Sequence, residues 1–148
     1  MNRSKLILAG CLIVNKKKEL LLLFKKKHKC FETPGGKLDA KKDKGKTKIE
    51  KLRNTARREA LEELGKISLS ELEYFGSVDF IIPDGRKARV YKFSTSIRKG
   101  KPKVMEPEEF SCMKWIPIKR LEQYPISPDL RKLSKKIKKR LTRNTQTP

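Results

Sequence analysis

The chain has 148 residues, which is the size of a single domain with one hydrophobic core, and we expect one domain over residues 1–148. It carries 39 lysine and arginine residues against 17 aspartate and glutamate residues, and a net charge of +22 favours polyanionic partners such as nucleotides, polyphosphates or nucleic acids. The cysteines (Cys11, Cys30 and Cys112) are odd in number and form no Cys-x-x-Cys pair. This pattern argues against a disulfide framework or a zinc site and favours a reducing, cytoplasmic location.

The first apolar segment, residues 5–14, contains Leu-Ala-Gly-Cys at positions 8–11, which is typical of a lipoprotein export signal. The apolar stretch before Cys11 is shorter than the roughly 7–15 residues of such a signal. No segment has the run of about 18 apolar residues that a membrane span needs. We therefore predict no membrane association and a buried strand over residues 5–14. A turn at 15–18 and a second strand at 19–24, with four consecutive leucines, follow it.

The clearest functional signal is a group of three glutamates on one predicted helix. Glu59, Glu62 and Glu63 fall within an arc of about 100° at helical periodicity. An adjoining stripe packs on the core and consists of Ile49, Leu52, Ala56 and Ala60. Like charges at this spacing destabilise a helix by roughly 0.2–0.5 kcal/mol per pair, which suggests a compensating cation. The alternative is a solvated flank whose glutamates pair with Arg58 and Lys66.

Upstream of this helix, the chain has a Pro-Gly-Gly turn at 34–36, where glycine lets the backbone approach a ligand closely. Together the two motifs resemble the Nudix box, Gly-x5-Glu-x7-Arg-Glu-U-x-Glu-Glu-x-Gly-U, in which U is a bulky apolar residue. The matching positions are Gly36, Glu50, Arg58, Glu59, Glu62, Glu63 and Gly65. Two departures stand out. The loop before Glu50 carries an eight-residue, lysine-rich insertion within 40–49, and Ala60 and Lys66 occupy U positions.

The resemblance implies an α/β fold, an α/β/α sandwich with a mixed β-sheet between helices, and a hydrolase that depends on Mg²⁺ or Mn²⁺. It implies that Glu62 and Glu63 are metal ligands, that Glu59 is a further ligand or the general base, and that the backbone carbonyl of Gly36 completes the metal site. Ligands that are all oxygen atoms select such hard ions over zinc.

The resemblance also implies supporting roles for residues around these ligands. Arg58 would orient the catalytic glutamates through ion pairs, and Glu50 would hold the end of the helix or pair with Arg58. A further metal-facing carboxylate is expected from the acidic loop at 106–109, where Glu109 is the preferred candidate. A solvated acidic loop is the alternative.

The substrate is predicted from shorter similarities. Residues 31–37 are similar to MutT-like members that convert nucleoside triphosphates to a monophosphate and pyrophosphate, whereas Pro83 stands where members that cleave ADP-ribose often have a proline. Lys25, Lys37 and Asp129 are candidate substrate-binding residues, although Lys25 also fits a solvated strand end. An RNA 5′-end pyrophosphohydrolase and a non-catalytic nucleic-acid-binding module remain open alternatives.

The rest of the chain is predicted from local patterns. Residues 74–82 and 88–97 form a hairpin around a turn at 83–86, and 112–117 form an edge strand. A basic helix at 129–143 docks by its leucines, and its charged face is solvated or contacts RNA. The insertion has little to bury and is predicted to be a mobile surface loop or a flap, and residues 144–148 are predicted to be disordered. Monomer and homodimer both remain open.

Overall fold

The structure is a computed structural model that describes residues 5–143. Its strands, in chain order, are β1 (Leu6–Ile13), β2 (Glu19–Lys25), β3 (Cys30–Glu32), β4 (Gly35–Lys37), β5 (Ser68–Leu69), β6 (Glu73–Ile81), β7 (Lys87–Thr95), β8 (Ile97–Lys99) and β9 (Phe110–Pro117). Its helices are α1 (Lys48–Leu64), a 3₁₀ helix (Ile118–Gln123) and α2 (Pro128–Leu141). The predicted disordered tail, 144–148, lies outside the described residues.

The strands form a mixed sheet and two antiparallel sheets. The mixed sheet has the order β4-β1-β7-β6, in which β1 and β7 are parallel and the other pairs are antiparallel. A second sheet has the order β3-β2-β9, and β5 pairs with β8. The predicted hairpin is confirmed as β6 and β7, and the predicted edge strand is β9.

The two helices cover opposite faces of the central strands. On one face, Leu52, Ala56, Ala60 and Leu64 of α1 pack against alternate residues of β1 and β2. On the other face, Leu130, Leu133 and Ile137 of α2 pack against the residues between them. Because β1 and β2 are buried on both faces, their sequences read as continuous apolar runs rather than as alternation. The predicted α/β/α sandwich is confirmed.

Local capping fixes the start and end of α1. The hydroxyl of Thr47 accepts a hydrogen bond from the backbone N–H of Glu50, and the Glu50 carboxylate accepts one from the N–H of Thr47, which makes a capping box. The helix ends at Gly65, whose φ of 89° is readily adopted only by glycine. Of the two predicted roles of Glu50, the structure therefore has it holding the helix end rather than pairing with Arg58.

The inserted loop corrects one prediction. It was expected to bury little, yet Asp43 within it is 2% exposed and is fully hydrogen-bonded to its surroundings. The neighbouring lysines, Lys41, Lys42 and Lys44, are exposed to solvent. A carboxylate can be buried even in such a polar segment when ion-pair and hydrogen-bond partners compensate for its lost hydration.

The basic C-terminal helix was predicted to start at residue 129 and starts one residue earlier. Ser127 is the N-cap and Pro128 occupies the first turn, where its missing N–H costs no hydrogen bond. Within residues 5–143, neither helix combines the length and the apolar character needed to cross a bilayer.

Candidate active site

The candidate site forms where β4 meets the last two turns of α1. Pairing with β1, at Ala9 opposite Gly36, holds β4 against the helix. A Cβ atom built on Gly36 would lie 2.4 Å from Cδ of Glu59, so no larger residue fits without displacing that carboxylate. The glycine predicted from the box and the acidic helix are therefore in direct contact.

Glu63 is the most buried of the three glutamates. Its Oε1 accepts a hydrogen bond of 3.1 Å from the backbone N–H of Gly35. Burial raises the pKa of Glu63 to about 9, and the charges of Glu59 and Glu106 add to this effect. Burial likewise raises the pKa of Glu59. Burial thus disfavours the charged form of these carboxyl groups, and a bound cation would compensate for that cost.

Arg58 links the other two glutamates. Its Nη1 lies 3.0 Å from Oε2 of Glu59 and 3.0 Å from Oε2 of Glu62. On the opposite edge of the guanidinium, Nε and Nη2 donate to the Asp43 carboxylate at 2.8 and 3.0 Å. Nη2 also donates to the carbonyl oxygen of Lys37 at 3.3 Å. The hydrogen bonds to Asp43 raise the pKa of Arg58 and hold that of Asp43 at about 2.

The acidic loop at 106–109 approaches the same glutamates. Glu109, the candidate from sequence, pairs with Nζ of Lys25 at 2.9 Å and is half exposed. Burial raises the pKa of Glu106, as do nearby carboxylates that include Glu62. The charge of Glu106 in turn contributes to the raised pKa values of Glu59 and Glu63. Glu106 is therefore electrostatically part of the glutamate cluster.

The donor atoms suit a hard divalent cation. Glu59, Glu62, Glu63 and the Gly36 carbonyl offer only oxygen, the donor type that Mg²⁺ and Mn²⁺ prefer. In the described chain, no three acidic, histidine or cysteine side chains already converge as a metal site. Instead Glu59 and Glu62 accept from Arg58, and Glu63 accepts from Gly35. The oxygen donors are therefore of the type that such an ion prefers, and their carboxylates accept hydrogen bonds from Arg58 and Gly35.

A cavity of about 180 Å³ opens beside Gly35 and Gly36. Its walls are largely apolar and include Leu6, Leu8, Phe80, Ile82 and Val90. Lys25 and Lys37, the two candidate substrate-binding lysines, also line it. This shape, an apolar pocket next to a charged cluster, is suited to a ligand with one flat apolar part and one polyanionic part.

The buried end of the cavity is polar. Nζ of Lys92 lies 2.8 Å from Oδ2 of Asp129 and also contacts the hydroxyl of Thr33. Burial opposes ionisation of Asp129, but the ammonium group of Lys92, the Ser127 hydroxyl and a backbone N–H together outweigh this effect, and the pKa of Asp129 is lowered. The hydroxyl of Ser127 is buried in the same wall, beside the Asp129 carboxylate. A ligand atom at this end would meet a donor and an acceptor side by side.

The structure brings most of the predicted residues to one region and adds three others. Arg58 bonds both Glu59 and Glu62, Gly36 abuts Glu59, and Glu63 bonds the neighbouring Gly35. The other predicted residues, Lys25, Lys37 and Asp129, line the neighbouring cavity. The sequence analysis missed Asp43, Lys92 and Ser127. One signal for Lys92 was available, since it is a charged residue between the apolar Tyr91 and Phe93 in the buried part of β7.

Comparison with protein families and solved structures gives consistent matches. Residues 5–137 match the family model described as the NUDIX domain. The MutT Nudix hydrolase from Burkholderia pseudomallei is 26% identical, with a TM-score of 0.73 over 90% of this chain and 98% of that one. Comparison with curated proteins gave no match.

Two further structures share the fold at lower identity. The MutT protein from Methanosarcina mazei is 20% identical, with a TM-score of 0.75 over 97% of this chain and 99% of that one. The Nudix domain of NrtR from Shewanella oneidensis, solved with ADP ribose, is 18% identical, with a TM-score of 0.74 over 95% of this chain and 91% of that one.

Proposed function

Since the chain belongs to the Nudix family and is a Nudix hydrolase, we propose that it cleaves nucleoside triphosphates to a monophosphate and pyrophosphate in the presence of Mg²⁺ or Mn²⁺. The observation that carries this proposal is the contact of Gly36 with Glu59, next to the buried Glu63 and beside a cavity with a polar end. Such an arrangement suits a substrate whose phosphates reach the glutamates while its base enters the cavity.

The proposed roles follow from charge and position. A bound divalent cation neutralises phosphate charge and lowers the pKa of a bound water. Glu59, Glu62, Glu63 and the Gly36 carbonyl would hold it. Glu59 is also the candidate for the base that accepts a proton from the attacking water, because its carboxylate lies against Gly36.

The acidic loop would contribute one more carboxylate to this site. We assign it to Glu106, because its charge acts on Glu59 and Glu63, whereas Glu109, the candidate from sequence, is engaged by Lys25. Exchange of Glu106 for Gln would then lower metal affinity more than exchange of Glu109.

The cavity residues would set the orientation of the base. Lys92 and Asp129 offer a donor and an acceptor to the edge of the base, and the buried hydroxyl of Ser127 offers a third polar contact. Lys25 and Lys37 line the same cavity and would attract the phosphates. The three free cysteines support a cytoplasmic location.

A second candidate substrate is ADP-ribose. Pro83, which is typical of members that cleave it, lines the cavity rather than lying in a remote turn. The NrtR domain that shares this fold was solved with ADP ribose. Membership of a hydrolase family argues against a non-catalytic nucleic-acid-binding module.

A screen of products tests the proposal. The protein with Mg²⁺ would be given nucleoside triphosphates, oxidised nucleotides, ADP-ribose, dinucleoside polyphosphates and triphosphorylated RNA, and the products would be separated by ion-exchange chromatography. We expect monophosphate and pyrophosphate from a nucleoside triphosphate, at rates lowered by at least about 100-fold in Glu62→Gln and Glu63→Gln. Exclusive turnover of ADP-ribose would select the second candidate, and rates like wild type in both variants would refute the site.

A further inference from the structure

The inserted loop provides a carboxylate near the candidate site that is almost inaccessible to solvent. Asp43 accepts hydrogen bonds from the Thr55 hydroxyl at 2.8 Å and from the backbone N–H of Asp39 at 2.8 Å, in addition to the two from Arg58. Its side chain is 1% exposed. The carboxylate therefore accepts four hydrogen bonds, and the two from Thr55 and Asp39 keep it in place if the guanidinium moves.

The guanidinium uses its two edges differently. Asp43 takes the Nε and Nη2 edge side-on, in the bidentate geometry that fixes the plane of an arginine most strongly. This orientation leaves Nη1 directed at Glu59 and Glu62 together. Glu50, the box residue that was an alternative partner for Arg58, is instead engaged in the capping box of α1.

We propose that Asp43 is a positioning residue for the glutamate cluster, acting through Arg58 to hold the carboxylates of Glu59 and Glu62. The inference rests on the proposed function for its effect on turnover. On this proposal the lysine-rich insertion contributes to the site, because it supplies the buried carboxylate that binds Arg58 while its lysines remain exposed to solvent.

The expected consequence of losing this anchor is specific. In Asp43→Asn, the amide cannot accept both guanidinium bonds, and Arg58 is left with only the glutamates as anionic partners. Arg58 then competes with the cation for their oxygens and no longer fixes their direction. We expect kcat to fall by roughly 10- to 100-fold and Mn²⁺ affinity to fall by a similar factor, with KM little changed.

The test is a double-mutant cycle with two readouts. Mn²⁺ affinity would be measured by electron paramagnetic resonance without substrate, and kcat and KM by product release, for wild type, Asp43→Asn, Arg58→Lys and the double variant. If Asp43 acts through Arg58, the Asp43→Asn substitution costs much less in the Arg58→Lys background than in wild type.

A matched control separates positioning from general damage to the loop. Asn54 also joins α1 to the insertion, by a hydrogen bond of 2.5 Å to the carbonyl of Lys44, but makes no hydrogen bond to Arg58. We expect Asn54→Ala to leave Mn²⁺ affinity and kcat at wild-type values, with thermal unfolding recorded for every variant.

Three results would overturn the inference: wild-type Mn²⁺ affinity and kcat in Asp43→Asn, equal losses of affinity in both backgrounds, or an equal loss in Asn54→Ala. Because the Mn²⁺ readout needs no substrate, it tests Asp43 even if the screen finds no nucleotide that is hydrolysed. In that event the proposed function fails while the cycle still decides the role of Asp43.

Discussion

Glu63 is the residue at which stability and proposed function conflict most directly. Its carboxyl is buried and has a pKa raised to about 9 from an ordinary value of 4.5. A carboxyl with a raised pKa in the folded state favours folding fully below its unfolded pKa, and this contribution is lost as the pH rises through the folded value. The metal-free protein should therefore lose stability between about pH 4.5 and 9.

We predict that Glu63→Gln stabilises the metal-free protein. A glutamine retains an oxygen that can accept from the N–H of Gly35 and carries no charge to be buried. At pH 8 in EDTA, we expect the free energy of unfolding to rise on the order of 2 kcal/mol, with no gain at pH 4.5. Urea denaturation at the two pH values measures this difference.

The control is Glu62→Gln, because the side chain of Glu62 is 45% exposed and its charge is partly solvated. It should change the stability by less than about 0.5 kcal/mol at either pH. An equal gain in both variants, or a gain in Glu63→Gln that persists at pH 4.5, would contradict the assignment of the effect to the burial of Glu63.

The pair of Lys92 and Asp129 leads to a second prediction at this scale. Both side chains are buried, so Lys92→Met leaves an unpaired carboxylate and should lower the free energy of unfolding by about 3–5 kcal/mol. Addition of Asp129→Asn removes that charge, and we expect the double variant to regain more than half of the loss. Urea denaturation of the four proteins measures the coupling, and additive losses would exclude it.

The site residues that could be predicted are those with a local spacing. Glu59, Glu62 and Glu63 share one helix, so periodicity alone groups them, and the box then directs attention to Gly36. Asp43 and Lys92 could not be predicted in the same way. Their partners, Arg58 and Asp129, are 15 and 37 residues away, and only the packing of the loop and of α2 brings them together.

At the scale of elements, the longer ones were predictable and the shortest were not. An apolar stripe and a terminal glycine predict helix α1, and apolar or alternating runs predict the strands β1, β2, β6 and β7. Strands β3, β4, β5 and β8 have two or three residues each, which is too few to show a periodic pattern of apolar residues. They form because neighbouring strands pair with them. One of these, β4, carries the glycine of the site.

The contact of β4 with α1 gives a prediction at this scale. Gly36→Ala places a Cβ atom 2.4 Å from Cδ of Glu59, so the carboxylate must move. We expect kcat to fall by about 100-fold or more, because displacement of a catalytic group by about 1 Å costs that much. Steady-state kinetics with the substrate identified by the screen, at saturating Mg²⁺, measures the fall.

The matched control is Gly85→Ala in the turn between β6 and β7. Gly85 has a φ of 97°, so alanine is strained there, but no atom lies within 4 Å of its Cβ position. It should lower the stability by about 1 kcal/mol and leave kcat unchanged. If both variants lost activity in parallel with stability, the effect of Gly36→Ala would be one of folding and not of the site.

At the scale of the whole molecule, the charge of +22 surrounds a site whose own residues are acidic. In the proposed function the two features would have separate roles: the glutamates would attract a cation, and the basic surface would attract the polyphosphate of the substrate. The basic face of α2 contributes to this field. Lys132 and Arg140 also donate to the carbonyl oxygens of Asp79 and Phe75 on the edge strand β6, so part of the charge covers a sheet edge.

Long-range steering predicts a dependence on salt that local binding does not. For a nucleoside triphosphate, we expect kcat/KM to fall about tenfold between 50 and 500 mM KCl, with kcat nearly constant, because screening weakens attraction before contact. The exposed residues Lys135 and Lys139 on α2 offer a control, since exchange of both for Glu lowers the net charge by four without altering the glutamate site. The variant should show a lower kcat/KM at 50 mM KCl and a shallower slope, and the same slope as wild type would mean that the overall field has no part in substrate capture.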